Sequence, residues 1–151
     1  YKRWCKMEKS IELDALNIFR RMNQSLSRED VEMLSPLQLA YIGDAVYELF
    51  VRTVILNRDQ NAKLLHKKAT SYVSAASQAE LVHSLDDRLD DREREMVRKG
   101  RNAKTNTSPK NAELIDYKYA TGFECLMGYL YLSGRDERLM ELFEDIKKIK
   151  G

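Results

Sequence analysis

A chain of 151 residues with 43% hydrophobic content can bury one core, and at this length a second folded module is not expected. Lysine and arginine number 26 against 24 acidic residues, so the net charge of +2 says little about a partner, and local clusters matter more. No apolar run approaches the roughly 20 residues of a membrane span, and the N-terminus lacks the apolar core of a signal peptide. A soluble, cytoplasmic protein is the expectation. Cys5 and Cys125 have neither metal-ligand spacing nor a disulfide framework around them and read as reduced thiols.

Glycine and proline are sparse, and apolar residues recur at three- and four-residue steps, which predicts an all-α fold. Met7 reads as a native start, with residues 1–6 an upstream addition. Residues 11–22 carry Ile11, Leu13, Leu16, Ile18, Phe19 and Met22 in the pattern of a short amphipathic helix. Ser35 as N-cap and Pro36 at the first helical position open a long helix to about Leu56, apolar on nearly every side and so expected at the centre of the core. A second helix is predicted over about residues 61–84, with His66, Lys67 and Lys68 on its first half. A third, over about residues 86–99, is densely charged; Asp90 with Arg94 and Glu95 with Lys99 stand four apart and are expected to pair. Gly100 is expected to end that helix and to start an irregular loop rich in Asn, Thr and Lys through Pro109. A further helix spans about residues 112–132, and Ser133-Gly134 separates it from a last one striped by Leu139, Leu142, Phe143 and Ile146.

Asp44 stands inside the otherwise apolar stretch Leu39-Ala-Tyr-Ile-Gly-Asp-Ala-Val-Tyr-Glu-Leu49, where a carboxylate must be paired, protonated or bound to a cation. Glu48 shares its helix face. Glu124, in Tyr119-Ala-Thr-Gly-Phe-Glu-Cys-Leu-Met-Gly-Tyr129, repeats the arrangement. Two such acids that converge can hold a hard divalent cation such as magnesium, with waters and phosphate oxygens completing its octahedron, and that ion activates water at a phosphodiester. Spacing leaves the alternative open that Asp44 salt-bridges a Lys or Arg and that Glu124 pairs with Lys118 or Arg52. Gly43, Gly122 and Gly128, each costing about 1 kcal/mol in a helix interior, need a reason, and close helix packing is the commonest. The aromatic residues Tyr41, Tyr47, Tyr117, Tyr119, Phe123, Tyr129 and Tyr131 cluster on the two carboxylate helices, where core packing is their expected role.

Residues 98–110 contain five basic residues and no acidic one. Arg101, Asn102, Lys104 and Lys110 there have the groups that contact phosphate and sugar without reading sequence, and His66 with Lys67 can face the same partner. A solvated loop balancing the acidic run before it is the plainer alternative.

At these residues the chain resembles the ribonuclease III family, whose signature Leu-Glu-Phe-Leu-Gly-Asp-Ala is matched by Leu39-Ala40-Tyr41-Ile42-Gly43-Asp44-Ala45, and whose acid-x-x-Glu motif is matched by Thr121-Gly122-Phe123-Glu124. Residues 65–74 and Gln78 look like the family's next helix. Ala-Tyr-Ile-Gly-Asp-Ala, His-Lys-Lys, Gly-Arg-Asn-Ala-Lys, Thr-Ser-Pro-Lys-Asn and Phe-Glu in that order look like its small Mini-III branch, which lacks a separate double-stranded-RNA-binding domain. The resemblance covers about residues 34–142. Ala40 and Thr121 stand where the larger enzymes carry Glu and Asp.

What the resemblance implies is an N-terminal extension over residues 1–33 and a helical endonuclease domain over 34–151 that acts as a homodimer, with the signature helices at its interface. Asp44 and Glu124 would be catalytic and hold Mg2+, with Mn2+ as substitute. Arg101, Asn102, Lys104, Lys110, His66 and Lys67 would grip double-stranded RNA. The substrate would be a stem of precursor large-subunit (23S) ribosomal RNA, cut beside a ribosomal protein to leave 5′-phosphate and 3′-hydroxyl ends. The alternative is a catalytically silent RNA-binding or ribosome-assembly protein of the same fold.

Overall fold

The structure, a computed structural model, describes residues 19–23, 26–104 and 113–151. It is built of helices α1 (Arg28–Met33), α2 (Pro36–Ile55), α3 (Ala62–Val73), α4 (Ala75–Leu85), α5 (Asp91–Arg101), α6 (Leu114–Leu132) and α7 (Asp136–Lys150), with a 3₁₀ turn at Asp86–Arg88. No strand occurs among the described residues. The expected helix over residues 11–22 falls almost wholly outside them.

α2 starts as its sequence predicts. Ser35 Oγ accepts from Gln38 N (3.2 Å), and Gln38 Oε1 accepts from Ser35 N (2.9 Å), a reciprocal cap ahead of Pro36. The centre of the core, however, is α6. From Ala120 to Tyr131 every α6 residue except the half-buried Glu124 is buried, with α2, α4 and α5 packed around it. α2 instead leaves Leu37, Tyr41 and Leu49 in solvent, because α6, α3 and α5 cover only part of its surface. Tyr41 is therefore not a core aromatic, whereas Tyr47, Phe123, Tyr129 and Tyr131 are.

The segment expected as one helix over residues 61–84 is two. Ser74 adopts extended backbone (φ −59°, ψ 151°), and its hydroxyl accepts from Ser77 N at 3.3 Å to start α4. α5 starts at Asp91 rather than near residue 86, because Asp90 and Glu93 form a capping box there. The Asp90 carboxylate is committed to Glu93 N (2.8 Å), so it does not pair with Arg94, which turns to Asp86 and Asp91. Glu95 and Lys99 do pair (3.5 Å).

Gly100 does not end α5, which runs on through Arg101. Its role is a close approach: a Cβ there would lie 2.6 Å from Gly122 Cα, and one at Gly122 would lie 2.5 Å from Val97 O. On the other side of α6, a Cβ at Gly43 would overlap the Glu124 backbone oxygen and one at Gly128 the Leu39 oxygen. These helices meet backbone to backbone. Gly134, at φ +74°, makes the turn into α7.

Buried charges elsewhere are matched. Glu93, fully buried, takes two hydrogen bonds of 2.9 Å from Arg138, and Arg20 grips Asp136 (2.6 and 2.8 Å) while donating to Tyr131 O. An alanine at position 43 would ordinarily gain helix propensity. Here Gly43→Ala is expected to destabilise the protein by at least about 3 kcal/mol, because its methyl meets backbone that cannot move aside. Urea unfolding followed by circular dichroism checks this; a variant as stable as the parent would show that the two helices separate freely.

Candidate active site

The Gly43–Glu124 contact decides where the acids fall. Asp44 follows Gly43 on α2, and the Glu124 side chain leaves α6 at the residue whose carbonyl Gly43 touches. The two carboxylates share a cleft of about 410 Å³, lined also by Ala40, Tyr41, Tyr117 and Thr121. Asp44 stands on the exposed side and Glu124 is half-buried. The residues at the two motif positions where the resemblance would place further acids, Ala40 and Thr121, are in the same cleft wall. Thr121 turns its hydroxyl back to Tyr117 O at 3.0 Å.

Burial, and then the charge of Glu48, raise the Asp44 carboxyl above its ordinary value. Burial, and then the charge of Asp44, push Glu124 up to about 7, opposed by the side-chain amide of Gln78. Each acid thus carries a net cost of ionisation. Neither makes an ion pair with any described residue: Arg52 pairs instead with Glu48 (3.0 Å), and Lys118 forms no ion pair with Glu124. Glu48 contributes charge to the site while its carboxylate is engaged outside it.

The candidate RNA-contacting residues separate into two regions. His66 and Lys67 are exposed on α3, beside Lys63 and Thr70 around a shallow groove. Arg101, Asn102 and Lys104 follow one another at and beyond the end of α5, with Asn102 and Lys104 exposed. Lys110 lies outside the described residues. Arg101 is not a free loop cation: its guanidinium sits over the Tyr119 ring, 5.5 Å from the centroid, and donates to Tyr119 Oη at 3.3 Å. His83 packs on that ring at 4.6 Å. Spacing assigned no role to Tyr119 beyond packing, nor any to His83 or Gln78, because the helices that each would meet were unknown.

Residues 37–135 match the ribonuclease III domain, the span that contains the cleft, both carboxylates and the α2–α6 crossing. The chain belongs to the ribonuclease III family. Within that family it is similar to Mini-ribonuclease 3 of Thermoanaerobacter sp. (strain X514), at 49% identity over 83% of this chain and 89% of that one. It is also similar to Mini-ribonuclease 3 of Clostridium tetani, at 44% identity over 82% and 83%. A crystal structure of a protein from Fusobacterium nucleatum superposes with a TM-score of 0.72 at 28% identity, covering 81% of this chain and 98% of that one. The nuclease is thus an RNA-cleaving member of the Mini-ribonuclease 3 branch.

The elevated proton affinity of Glu124 has a stability consequence in this ribonuclease. Its folded value, about 7, lies above the ordinary 4.5, so folding favours the protonated form. That contribution is complete below pH 4.5 and is lost as pH rises through 7. In chelator, Glu124→Gln is expected to flatten this part of the stability profile and to raise stability at pH 8 by about 2 kcal/mol. Melting curves across pH check it; parallel profiles for the two proteins would contradict the buried, charge-opposed Glu124.

Proposed function

We propose that this protein is a magnesium-dependent endoribonuclease that cuts double-stranded RNA, with Asp44 and Glu124 holding the divalent cation. The observation that carries this reading is the pair of carboxylates that line one cleft, where the charge of Asp44 raises the proton affinity of Glu124 and no described residue forms an ion pair with either acid. The donor set fits magnesium, which takes one or two carboxylates and leaves its other positions to water and phosphate oxygens. Mn2+ suits the same oxygens. Among the described residues no group of three or more His, Cys, Asp or Glu is placed to hold an ion, which agrees with Ala40 and Thr121 at the motif positions.

When bound, the cation supplies an activated water and offsets charge on the scissile phosphate. The chain's own residues do the rest. Asp44 and Glu124 must be ionised to bind it, so proton and cation compete at Glu124 near neutral pH. Ala40 and Thr121, short side chains in the cleft wall, leave room for a phosphate to approach. Arg101, Asn102 and Lys104 at the end of α5, His66 and Lys67 on α3, and Lys110, outside the described residues, supply phosphate and sugar contacts, the way A-form RNA is gripped. Hydrolysis leaves 5′-phosphate and 3′-hydroxyl ends.

The ribonuclease III family acts on double-stranded RNA, and two strands call for two sites. The exposed row Leu37, Tyr41 and Leu49 on α2, with Asp44 between them, supports a homodimer that covers this row and joins two clefts. The substrate we propose is a stem of precursor large-subunit (23S) ribosomal RNA, cut in the cytoplasm with a ribosomal protein nearby. No helix among the described residues is long and apolar enough to cross a membrane.

Three experiments test these proposals. Asp44→Asn is expected to lower magnesium-dependent cleavage of a double-stranded RNA on the order of a thousandfold with the fold intact; undiminished cutting refutes the site, and a wild-type sedimentation mass of one chain refutes the dimer. Arg101→Ala and Lys104→Ala are each expected to weaken RNA binding and to reduce its salt dependence, without changing circular dichroism. Parental affinity in both variants removes the end of α5 from the RNA surface.

A further inference from the structure

Arg101, Tyr119 and His83 meet from three helices, α5, α6 and α4. The main chain sets this meeting. Gly100 and Gly122 approach so closely that a Cβ at Gly100 would lie 2.6 Å from Gly122 Cα, and the contact brings Arg101, the next residue, beside Tyr119, one helical turn before Gly122. The Tyr119 ring is partly buried against the core, with the Arg101 guanidinium 5.5 Å from its centroid and the exposed His83 ring at 4.6 Å. Arg101 Nη1 donates to Tyr119 Oη at 3.3 Å, and Nε donates to Asn102 Oδ1 at 3.4 Å. Two of the five guanidinium N–H groups are used in this way. The others donate to none of the described residues, and no described acid pairs with the charge. The arginine is therefore held in place while its charge stays available to an anion. An unsupported arginine would be equally cationic; what the ring adds is a fixed position.

We propose that Tyr119 is a positioning residue for RNA binding: its ring holds the Arg101 guanidinium where it meets a phosphate of the duplex. This rests on the reading of Arg101 as an RNA contact. A long arginine side chain loses much of its rotamer freedom when it is fixed on a phosphate. Stacked on Tyr119 it is ordered in the free protein, so less freedom is lost on binding. Replacing the ring removes no basic group, and a loss of affinity then reports order and not charge. Tyr119 does not line the carboxylate cleft, so its effect falls on the grip of RNA and not on the cation.

The test is a double-mutant cycle, read as the affinity of the intact protein in chelator for a synthetic double-stranded RNA of mixed sequence. It compares the parent, Arg101→Ala, Tyr119→Leu and the double variant, with Tyr119→Phe beside them. Arg101→Ala and Tyr119→Leu are each expected to weaken binding at least about threefold. Together they are expected to cost no more than about twofold beyond Arg101→Ala alone, because without the guanidinium the ring has nothing to hold. Tyr119→Phe keeps the ring, loses one long hydrogen bond and is expected to stay within about twofold of the parent. Costs that multiply in the double variant assign Tyr119 to packing and overturn the proposal, as does a Tyr119→Phe as weak as Tyr119→Leu. Weakened binding in Arg101→Ala alongside parental affinity in Tyr119→Leu overturns this proposal alone. Parental affinity in Arg101→Ala overturns the reading of Arg101, and the role of Tyr119 with it. Tyr119→Met repeats the comparison if the leucine variant does not fold, and failure of both to fold assigns Tyr119 to packing and overturns the proposal.

Discussion

The structure depends on the backbone contact between α2 and α6. Gly43 lies against the carbonyl of Glu124, and Gly128 lies against the carbonyl of Leu39, so the two helices touch at two places with no side chain between them. A second pair of close approaches, Gly100 with Gly122 and Gly122 with Val97, fixes α5 on another side of α6. Packing of this kind is stiff, because the atoms in contact are main chain and have no rotamers to give. It fixes the relation between Asp44 and Glu124 more firmly than any bond between their side chains, and it leaves the carboxylates themselves free for a ligand.

The contrast with the other buried acids is informative. Glu93 is held by Arg138, Asp136 by Arg20, and Asp145 by Arg88 at 3.0 Å, each an acid whose charge the fold has answered with a guanidinium. Asp44 and Glu124 receive no such answer among the described residues; burial raises the cost of ionising both, the charge of Glu48 adds to it at Asp44, and the charge of Asp44 adds to it at Glu124. A fold that pairs its structural acids so consistently leaves these two unrelieved where a cleft opens beside them. Stability is given up at that point, as binding sites require.

The surface divides on similar lines. The exposed apolar row of α2 runs past Asp44, while cations stand at the end of α5 and along α3. The Arg101 guanidinium is steadied on Tyr119, which His83 backs in turn, so at least one of the proposed RNA contacts is presented by a packed platform instead of a loose loop. Ordering a long side chain before binding lowers the entropy lost on binding.

Much of this was legible in the sequence. Capping residues and apolar spacing are local, so the start of α2, the stripe of α7 and the all-helical class followed from residue order alone. The motif around Asp44 and Glu124 located both acids, and the helix-interior glycines announced close packing. Three kinds of fact required the folded chain. The break at Ser74 and the late start of α5 turned on which of several polar residues captured a free backbone N–H, a competition that spacing does not rank. That α6 and not α2 forms the centre depended on how the other helices surround each, which the apolar pattern of α2 could not show. That Asp44 and Glu124 line one cleft came from packing between residues far apart in the chain. The sequence by itself determined which acids, which helices and which glycines; the tertiary structure decided that both acids enter one cleft with no ion pair to a described residue, because burial and Coulomb interaction depend on separation in space and not along the chain.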